Sequence, residues 1–387
     1  MRTLLFAVVL GTTACGSAAS ALPDAFVATI TSVDVTPSTS TVKRGISKPM
    51  QLTAKVSLSN STTLDVTNNA TWASSDSSIA TVSTTGLVTP VGTGSATITA
   101  SYEGVASTAS TITVDTTTMI LADIGNSSLE VYDAYAADGP ALHQIAGANT
   151  MLSAPWGIAV YNHELFVADQ NGALDVYAAD ATGNVAPVRR ITGALTTLGN
   201  PYNLAIYKDE IYVASASKIL VFPVGGDGNV APTRTITGPM SGLTSTYGIA
   251  VYNDEIYVTN YTSVEVFPST TNGDLAPTRK ITGPHTFLST AYNVFVEHDE
   301  LYVTNLSGIR VWLTTADGDA SPIRNLTGTS TAVTSATGVA VLGEELVVTN
   351  AGSTGIHMFP ASVTGDAAPT RAAATMGVSN GRTVAFY

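Results

Sequence analysis

Two sets of side chains recur from residue 120 onward at positions where they could surround one site. The aromatic set consists of Trp156, Tyr202, Tyr247 and Tyr292, with Thr337 and Gly381 at the corresponding points of the last two repeats. The polar set consists of Asp123, Asp169, Ser215, Asn260, Asn305 and Asn350. Aromatic faces beside amide and carboxylate groups suit a glycan or another small polar ligand, because stacking and directional hydrogen bonds act together.

Each set also has a structural explanation. Asn and Asp side chains often close the turn that follows them by accepting hydrogen bonds from backbone N–H groups. Aromatic side chains often fill the wedge between neighbouring sheets. The sequence leaves both alternatives open for both sets.

A sequence motif that is repeated six times determines where these residues lie. A glutamate marks the same point of the motif at Glu164, Glu210, Glu255, Glu300 and Glu345, with intervals of 46, 45, 45 and 45 residues. Each repeat contains four short apolar runs, which is typical of a propeller blade. In such a ring, the first apolar run of each blade begins at the face where the second run ends. The aromatic set precedes the first run and the polar set ends the second run, so the two sets should meet around the mouth of the central channel.

The order of the runs predicts how the ring closes. The series starts on a second strand at residues 119–123 and ends on a first strand at residues 382–387. The sixth blade should therefore take three strands from the start of the series and one from its end, which leaves no exposed sheet edge. At the opposite face, the five glutamates should pair with Arg189, Arg234, Arg279, Arg324 and Arg371 and fix the register of the blades.

The repeats resemble two propeller families. Tyr-Val-Thr-Asn at 257–260 and 302–305 is similar to the surface propellers named for that tetrapeptide, and the Gly-Ile-Ala-Val phrase resembles NHL-type propellers. The resemblance covers residues 119–387 and implies a six-bladed β-propeller. Both groups include binding proteins and, more distantly, lactonases and lyases.

An enzymatic function is therefore an alternative. Gluconolactonase-like propellers hold a divalent cation with Glu, Asn and Asp, and oxygen ligands of that kind suit Ca²⁺. The polar set lacks a glutamate, so we predict no metal and no cofactor, with Ca²⁺ at Asp123 and Asp169 as the alternative. A lyase would need a histidine base at the channel, and His285 is the histidine whose loop could reach the mouth. We predict no catalytic residue.

Residues 28–115 predict an immunoglobulin-like β-sandwich. Short alternating strands are separated by turns at intervals of about ten residues. Trp72, the Ser-Ile-Ala-Thr-Val phrase at 78–82 and Gly94-Ser-Ala-Thr-Ile-Thr-Ala100 resemble the bacterial immunoglobulin-like group 2 domain. That resemblance implies that Trp72 packs between the sheets and that the domain is a spacer or an adhesion module.

The N-terminus predicts export. Residues 1–10 carry one positive charge and a short apolar core, as in a signal peptide. Cys15, the single cysteine, resembles the lipidated cysteine of a bacterial lipobox, although Thr12 stands where that pattern prefers Leu. A lipoprotein signal at 1–15 and a tether at 16–27 would anchor the protein to the cell envelope. Cleavage at Ala19-Ser-Ala21 would instead give a secreted or periplasmic soluble protein.

Composition limits the partners. The net charge of −13, without a basic run, argues against nucleic acid. We expect an all-β, monomeric, exported surface protein that binds a glycan, a peptide or another envelope protein at the propeller mouth. A metal-dependent lactone hydrolase or lyase and a purely structural envelope component are the two alternatives.

Overall fold

The computed structural model describes residues 28–47, 49–136, 140–306, 308–351, 355–373, 378 and 380–387. Its regular structure is β-strand, apart from four single turns of 3₁₀ helix within these ranges. The chain divides into two compact units between Thr116 and Thr117. Cys15 and the predicted signal and tether lie outside the described residues.

The N-terminal unit contains eleven short strands. They are β1 (Ile30–Thr36), β2 (Thr39–Lys43), β3 (Met50–Gln51), β4 (Thr53–Leu58), β5 (Thr63–Asp65), β6 (Thr71–Ser74), β7 (Ala80–Val82), β8 (Leu87–Pro90), β9 (Gly94–Tyr102), β10 (Val105–Ala106) and β11 (Ser110–Asp115). They form three sheets, with the orders β1-β4-β5, β3-β8-β7 and β10-β9-β11-β2, and β6 joins the last of these by pairing with β9.

Alternation builds the core of this unit. In β11, Ile112 and Val114 are buried while Thr111 and Thr113 face outward. Trp72 packs against the core and its indole N–H donates to the Thr67 carbonyl at 2.9 Å. Strands β2 and β5 are short and largely polar, and β10 has only two residues, so hydrophobic alternation in the sequence does not mark them.

The C-terminal unit consists of six four-stranded antiparallel sheets, which confirms the predicted propeller. The closing blade begins with β12 (Thr118–Asp123), β13 (Ser128–Asp133) and β14 (His143–Ile145). Blade 1 comprises β15 (Pro155–Tyr161), β16 (Glu164–Asp169), β17 (Ala173–Ala178) and β18 (Arg189–Thr192); blade 2 comprises β19 (Pro201–Tyr207), β20 (Glu210–Ser215), β21 (Lys218–Pro223) and β22 (Arg234–Ile236).

The remaining blades follow the same order. Blade 3 comprises β23 (Thr246–Tyr252), β24 (Glu255–Asn260), β25 (Val264–Pro268) and β26 (Arg279–Ile281); blade 4 comprises β27 (Ala291–Glu297), β28 (Glu300–Asn305), β29 (Gly308–Leu313) and β30 (Arg324–Thr327); blade 5 comprises β31 (Ala336–Leu342), β32 (Glu345–Asn350), β33 (Ile356–Pro360) and β34 (Arg371–Ala373). The last strand, β35 (Gly381–Phe386), completes the closing blade.

The ring closes as the repeats predict. Strand β35 pairs with β12, and the backbones of Thr118 and Tyr387 exchange hydrogen bonds of 2.7 and 2.9 Å. The first strand of every blade contacts the first strands of both neighbouring blades, including β35 against β15 and β31. Because second strands are covered on both faces by adjacent blades, β16, β20 and β24 are buried along almost their whole length.

Neighbouring first strands approach each other closely near one end of the ring. A Cβ added to Gly248 would lie 2.6 Å from the Cα of Asn293, and one added to Gly157 would lie 2.5 Å from the Cα of Asn203. Glycine and a polar residue thus alternate around the ring at this position. The neighbouring first strands could not pack this tightly if both facing residues carried a side chain.

The five glutamates form the predicted ion pairs at the other end. Glu164, Glu210, Glu255, Glu300 and Glu345 pair with Arg189, Arg234, Arg279, Arg324 and Arg371 of the same blades. Four of these arginines also donate to a backbone carbonyl of the next blade, as Arg279 does to Thr314 at 2.9 Å. Each such arginine therefore links two blades.

Glu255→Gln should lower stability without affecting ligand binding. The hydrogen bond from Arg279 is the main cause that holds the pKa of Glu255 below its usual value. A lowered folded-state pKa stabilises the fold above the unfolded-state pKa, and this contribution disappears as pH falls through the folded-state pKa. Because the pair is partly exposed, we expect a loss of about 1 kcal/mol at pH 7 in urea unfolding and a smaller difference in acid.

The neighbouring Asp254→Asn variant is the control, because Asp254 forms an exposed pair with Lys208. It should leave the unfolding midpoint unchanged. Loss of ligand binding in Glu255→Gln at unchanged stability would show that this glutamate belongs to a binding site instead.

Candidate functional site

Both predicted sets lie at the same end of the propeller. The first residue of each first strand faces the last residue of the second strand, as Pro155 faces Asp169 and Ala336 faces Asn350. The register of each first strand against its second strand shifts at this point, which is the signature of a β-bulge. A bulge redirects the side chain that it carries, and here that side chain belongs to the aromatic set.

The polar set is buried and structural. Asn260 accepts hydrogen bonds from the backbone N–H groups of Thr244 at 3.0 Å and Ser245 at 2.9 Å, and its amide donates to the Gly242 carbonyl at 2.9 Å. The corresponding residues Asp169, Asn305 and Asn350 accept from the two residues that precede their own first strands. These side chains hold the loop before the first strand.

The side chains of the polar set, which were predicted as possible ligand contacts, hold backbone groups in the structure. Asp123, Asp169, Asn260, Asn305 and Asn350 are all buried, and Ser215 donates to the Leu198 carbonyl. Asp123 does close the turn that follows it, through Gly125 at 3.0 Å, and also accepts from the Asn380 N–H at 2.9 Å. The other side chains of the polar set form hydrogen bonds mainly with the loop that precedes the first strand of their blade, rather than with the turn that follows them.

The aromatic set forms a continuous arc at the mouth. Ring centroids are 5.3 Å apart for Trp156 and Tyr202, 4.8 Å for Tyr202 and Tyr247, and 5.3 Å for Tyr247 and Tyr292, and all three contacts are edge-to-face. Trp156 is 8% exposed, whereas the three tyrosines are partly exposed. Trp156 thus serves mainly in packing, and the tyrosines offer ring surface to a ligand.

The sixth position of this ring is Arg382, not Gly381. Gly381 pairs with Asp123 and so corresponds to Pro155, which places Arg382 in register with Trp156. Aligning Gly381-Arg-Thr-Val-Ala-Phe386 with Ala336-Thr-Gly-Val-Ala-Val341 would have revealed this from the sequence. The sequence prediction that placed Gly381 at this point of the last repeat is therefore one residue out of register.

Arg382 stacks on the aromatic arc. The centre of its guanidinium lies 4.0 Å from the centroid of the Trp156 ring, a cation–π contact. Burial lowers the pKa of Arg382 from its usual value, and the nearby Tyr292 and Asp123 act in the opposite direction. An arginine remains charged under such conditions. Its Nε atom is buried without a hydrogen-bond partner among the residues that the structure describes.

Thr337 interrupts the arc between Tyr292 and Arg382. Its hydroxyl is buried and donates to the Gly381 carbonyl at 3.1 Å, which ties blade 5 to the closing blade.

Burial also raises the pKa of Tyr247, with the neighbouring Tyr202 as a smaller cause. The Tyr247 hydroxyl therefore stays protonated at neutral pH and can donate a hydrogen bond.

The loops around the mouth carry no formal charge. The segments that precede five of the first strands, residues 146–154, 193–200, 238–245, 283–290 and 328–335, contain no Asp, Glu, Lys or Arg. Exposed apolar side chains stand on them instead: Met151, Leu195, Met240 and Phe287 are each more than half exposed. These segments are thus uncharged themselves, and Asp274, Asp319 and Asp366 of the adjacent blades accept hydrogen bonds from their backbone N–H groups.

A channel runs along the centre of the ring. Its cavity has a volume of about 320 Å³ and is lined by the first strands of all six blades. Alanines lie at corresponding positions of five blades, for example Ala159, Ala250 and Ala340, and Phe295 takes that position in blade 4. Apolar walls favour contact of a polar ligand with the mouth rather than with the channel interior.

Two buried carboxylates of third strands pair with cations of fourth strands. Asp175 in β17 is fully buried beside Arg190, with the charged atoms 3.1 Å apart, and burial raises its pKa to about 7. Glu265 in β25 pairs with Lys280 at 2.9 Å. These pairs join third to fourth strands and have a structural role.

The described residues contain no group of three or more His, Cys, Asp or Glu side chains that could hold a metal ion. His285 does lie in a loop at the mouth end, but it bonds Asp319 at 2.6 Å and is largely exposed. The predicted Ca²⁺ ligands Asp123 and Asp169 accept backbone hydrogen bonds.

The N-terminal unit has a larger but more open depression of about 540 Å³, lined by Gln51, Asp65, Asn69 and their neighbours. Its polar atoms are used locally: the Gln51 amide donates to the Thr85 carbonyl at 2.7 Å, and Asp65 accepts from the Thr67 N–H at 2.9 Å. It has no aromatic lining. The propeller mouth is therefore the stronger candidate despite the smaller cavity.

The chain thus combines an immunoglobulin-like domain with a propeller fold. Residues 29–114 match the model of the bacterial Ig-like domain (group 2), a domain that occurs in extracellular bacterial proteins. Among the described residues, none of the helices has the length and hydrophobicity needed to span a membrane.

Two known proteins are similar to parts of this chain. Ice-binding protein 1 of Shewanella frigidimarina is 41% identical over 106 residues, which are 26% of this chain and 12% of that protein. The chain thus spans about an eighth of that relative. The crystal structure of a nidogen/laminin complex matches with a TM-score of 0.53 and 12% identity, over 70% of this chain and 98% of the other. At that identity, the likeness concerns the fold alone.

Proposed function

We propose that this chain is an exported, lipid-anchored protein of the bacterial cell envelope whose propeller binds a glycan at the mouth formed by Trp156, Tyr202, Tyr247 and Tyr292. In this proposal the Ig-like unit is a spacer and Cys15 carries the lipid. The arc of edge-packed aromatic rings, three of them partly exposed, is the observation that carries the binding function.

The arrangement favours a glycan over a peptide or a whole envelope protein. Sugar rings have an apolar face that stacks on aromatic side chains and hydroxyl groups that exchange hydrogen bonds with tyrosine hydroxyls. The mouth offers both features within a few ångströms. The activity named for the Shewanella relative belongs to a protein of which this chain covers only 12%, so the mouth and not that name supports the proposal.

Glycan-array binding tests this function. We expect the purified protein to bind a subset of glycans and to lose roughly 10- to 100-fold in affinity in Tyr247→Ala and Tyr292→Ala, because a central aromatic contact contributes about 2 kcal/mol or more. Tyr247→Phe keeps the ring and its packing, so it should lose much less. Binding that survives both alanine substitutions, or no binding to any glycan, would contradict the proposal and favour a structural envelope component.

A further inference from the structure

We infer that the glycan bound at the mouth is acidic, and that Arg382 receives a carboxylate of one of its sugar units. This inference rests on the proposed function and adds the chemical class of the ligand. Arg382 comes from the last strand of the chain and occupies the ring position that an aromatic residue holds in four other blades.

The guanidinium is held in a fixed orientation by packing alone. Its carbon lies 4.0 Å from the Trp156 ring centroid, and no ion pair or side-chain hydrogen bond to Arg382 occurs among the described residues. In contrast, the five arginines at the opposite end are each paired with a glutamate. A half-buried arginine without a carboxylate partner is unusual, because burial of an unpaired charge is costly.

Carboxylate is the anion that this geometry suits. The planar guanidinium presents parallel N–H donors that match the two oxygens of a carboxylate. Trp156 covers one face of the Arg382 guanidinium. The remaining N–H donors of the guanidinium lie at one edge of the aromatic arc. Tyr292 forms the other end of the arc, and the small Thr337 separates the two. A sugar ring against the tyrosines would place a carboxylate attached to that ring within reach of the guanidinium.

The local charge supports the same conclusion in spite of the negative net charge of the chain. The loops that precede the other five first strands have no charged residue, and the nearest carboxylates of the polar set, Asp123 and Asp169, are buried and accept backbone hydrogen bonds. Arg382 is the cation that stacks directly on the aromatic arc. Fixed charges elsewhere on the surface are screened over about 10 Å at ordinary ionic strength.

Oligogalacturonate and its methyl ester test the inference, because esterification removes the charge of the carboxyl groups and leaves the sugar rings unchanged. We expect the wild-type protein to bind the acid roughly tenfold more tightly or better than the ester, since a charge-assisted hydrogen bond is involved. The array should likewise contain uronic-acid glycans among its hits. Arg382→Gln should remove the preference for the acid, and Arg382→Lys, which keeps the charge but not the paired donors, should reduce it.

Arg279→Gln is the matched control, because it removes the same charge at the opposite end of the propeller. It should keep the full preference for the acid. Equal binding of acid and ester by the wild-type protein, array hits restricted to neutral glycans, or a preference that persists in Arg382→Gln would overturn the inference while leaving the proposed function intact. If Arg382→Gln does not fold, the Arg382→Lys comparison decides. Failure of every glycan to bind would instead contradict the proposed function itself.

Discussion

Deletion of residues 381–387 is expected to unfold the propeller. Strand β35 is the first strand of the closing blade, pairs with β12 and contacts the first strands of both neighbouring blades. Its removal would expose the edge of β12 and the side chains of Met119 and Leu121, which are 1% exposed in the closed ring. The loss should exceed about 5 kcal/mol, since buried contacts and strand pairing disappear together.

Thermal and urea unfolding of the truncated protein would measure this effect. Tyr387→Ala is the control, because it removes the last side chain, which bonds His163 at 3.1 Å, and leaves the strand in place. We expect a small decrease in melting temperature for the control and loss of the cooperative transition of the propeller for the deletion. A truncated protein that melts like the wild type would show that the ring does not depend on β35.

The second large effect concerns the close approach of first strands near the mouth. In Gly248→Ala the new methyl group would lie 2.6 Å from the Cα of Asn293 and 2.7 Å from the Val294 nitrogen, and both are backbone atoms of the next blade. Neither atom can move without shifting a first strand. We expect a loss of roughly 1–3 kcal/mol or more and weaker glycan binding, because the adjacent Tyr247 and Tyr292 would move apart.

Gly225→Ala provides the comparison for this substitution. A Cβ at Gly225 would meet no atom within 4 Å, so the same change of residue should alter the free energy of unfolding by less than about 0.5 kcal/mol. Urea unfolding with unchanged slopes would make the two values comparable. Equal stability of the two variants would contradict the tight packing of β23 against β27.

The sequence predicted the architecture of the propeller well because a strict repeat constrains every blade in the same way. The glutamate at the start of each second strand gave the register, and the strand order gave the closure between the two ends of the repeat region. The ion pairs of Glu164, Glu255 and Glu300 with arginines followed from that register. Hydrophobic alternation served less well in the Ig-like domain, where β2 and β5 are polar.

The site was predicted only in part, for two physical reasons. Asn260 and its counterparts were placed correctly at the mouth end, but no sequence pattern distinguishes an amide that meets a ligand from one that holds the preceding loop. Arg382 was missed because the last repeat lacks the Tyr or Trp that marks this position in four of the blades. The repeat thus predicts positions, whereas burial and hydrogen bonding decide their roles.

The central claim is that the ligand binds at the mouth and not elsewhere on the ring. A comparison of Tyr247→Ala with Tyr252→Ala tests this claim most directly. Both tyrosines are partly buried residues of strand β23, but they lie near its opposite ends. Measured by calorimetry with a glycan from the array, Tyr247→Ala should lose at least about tenfold in affinity and Tyr252→Ala should bind like the wild type. Equal losses in the two variants, or a loss confined to Tyr252→Ala, would contradict the claim.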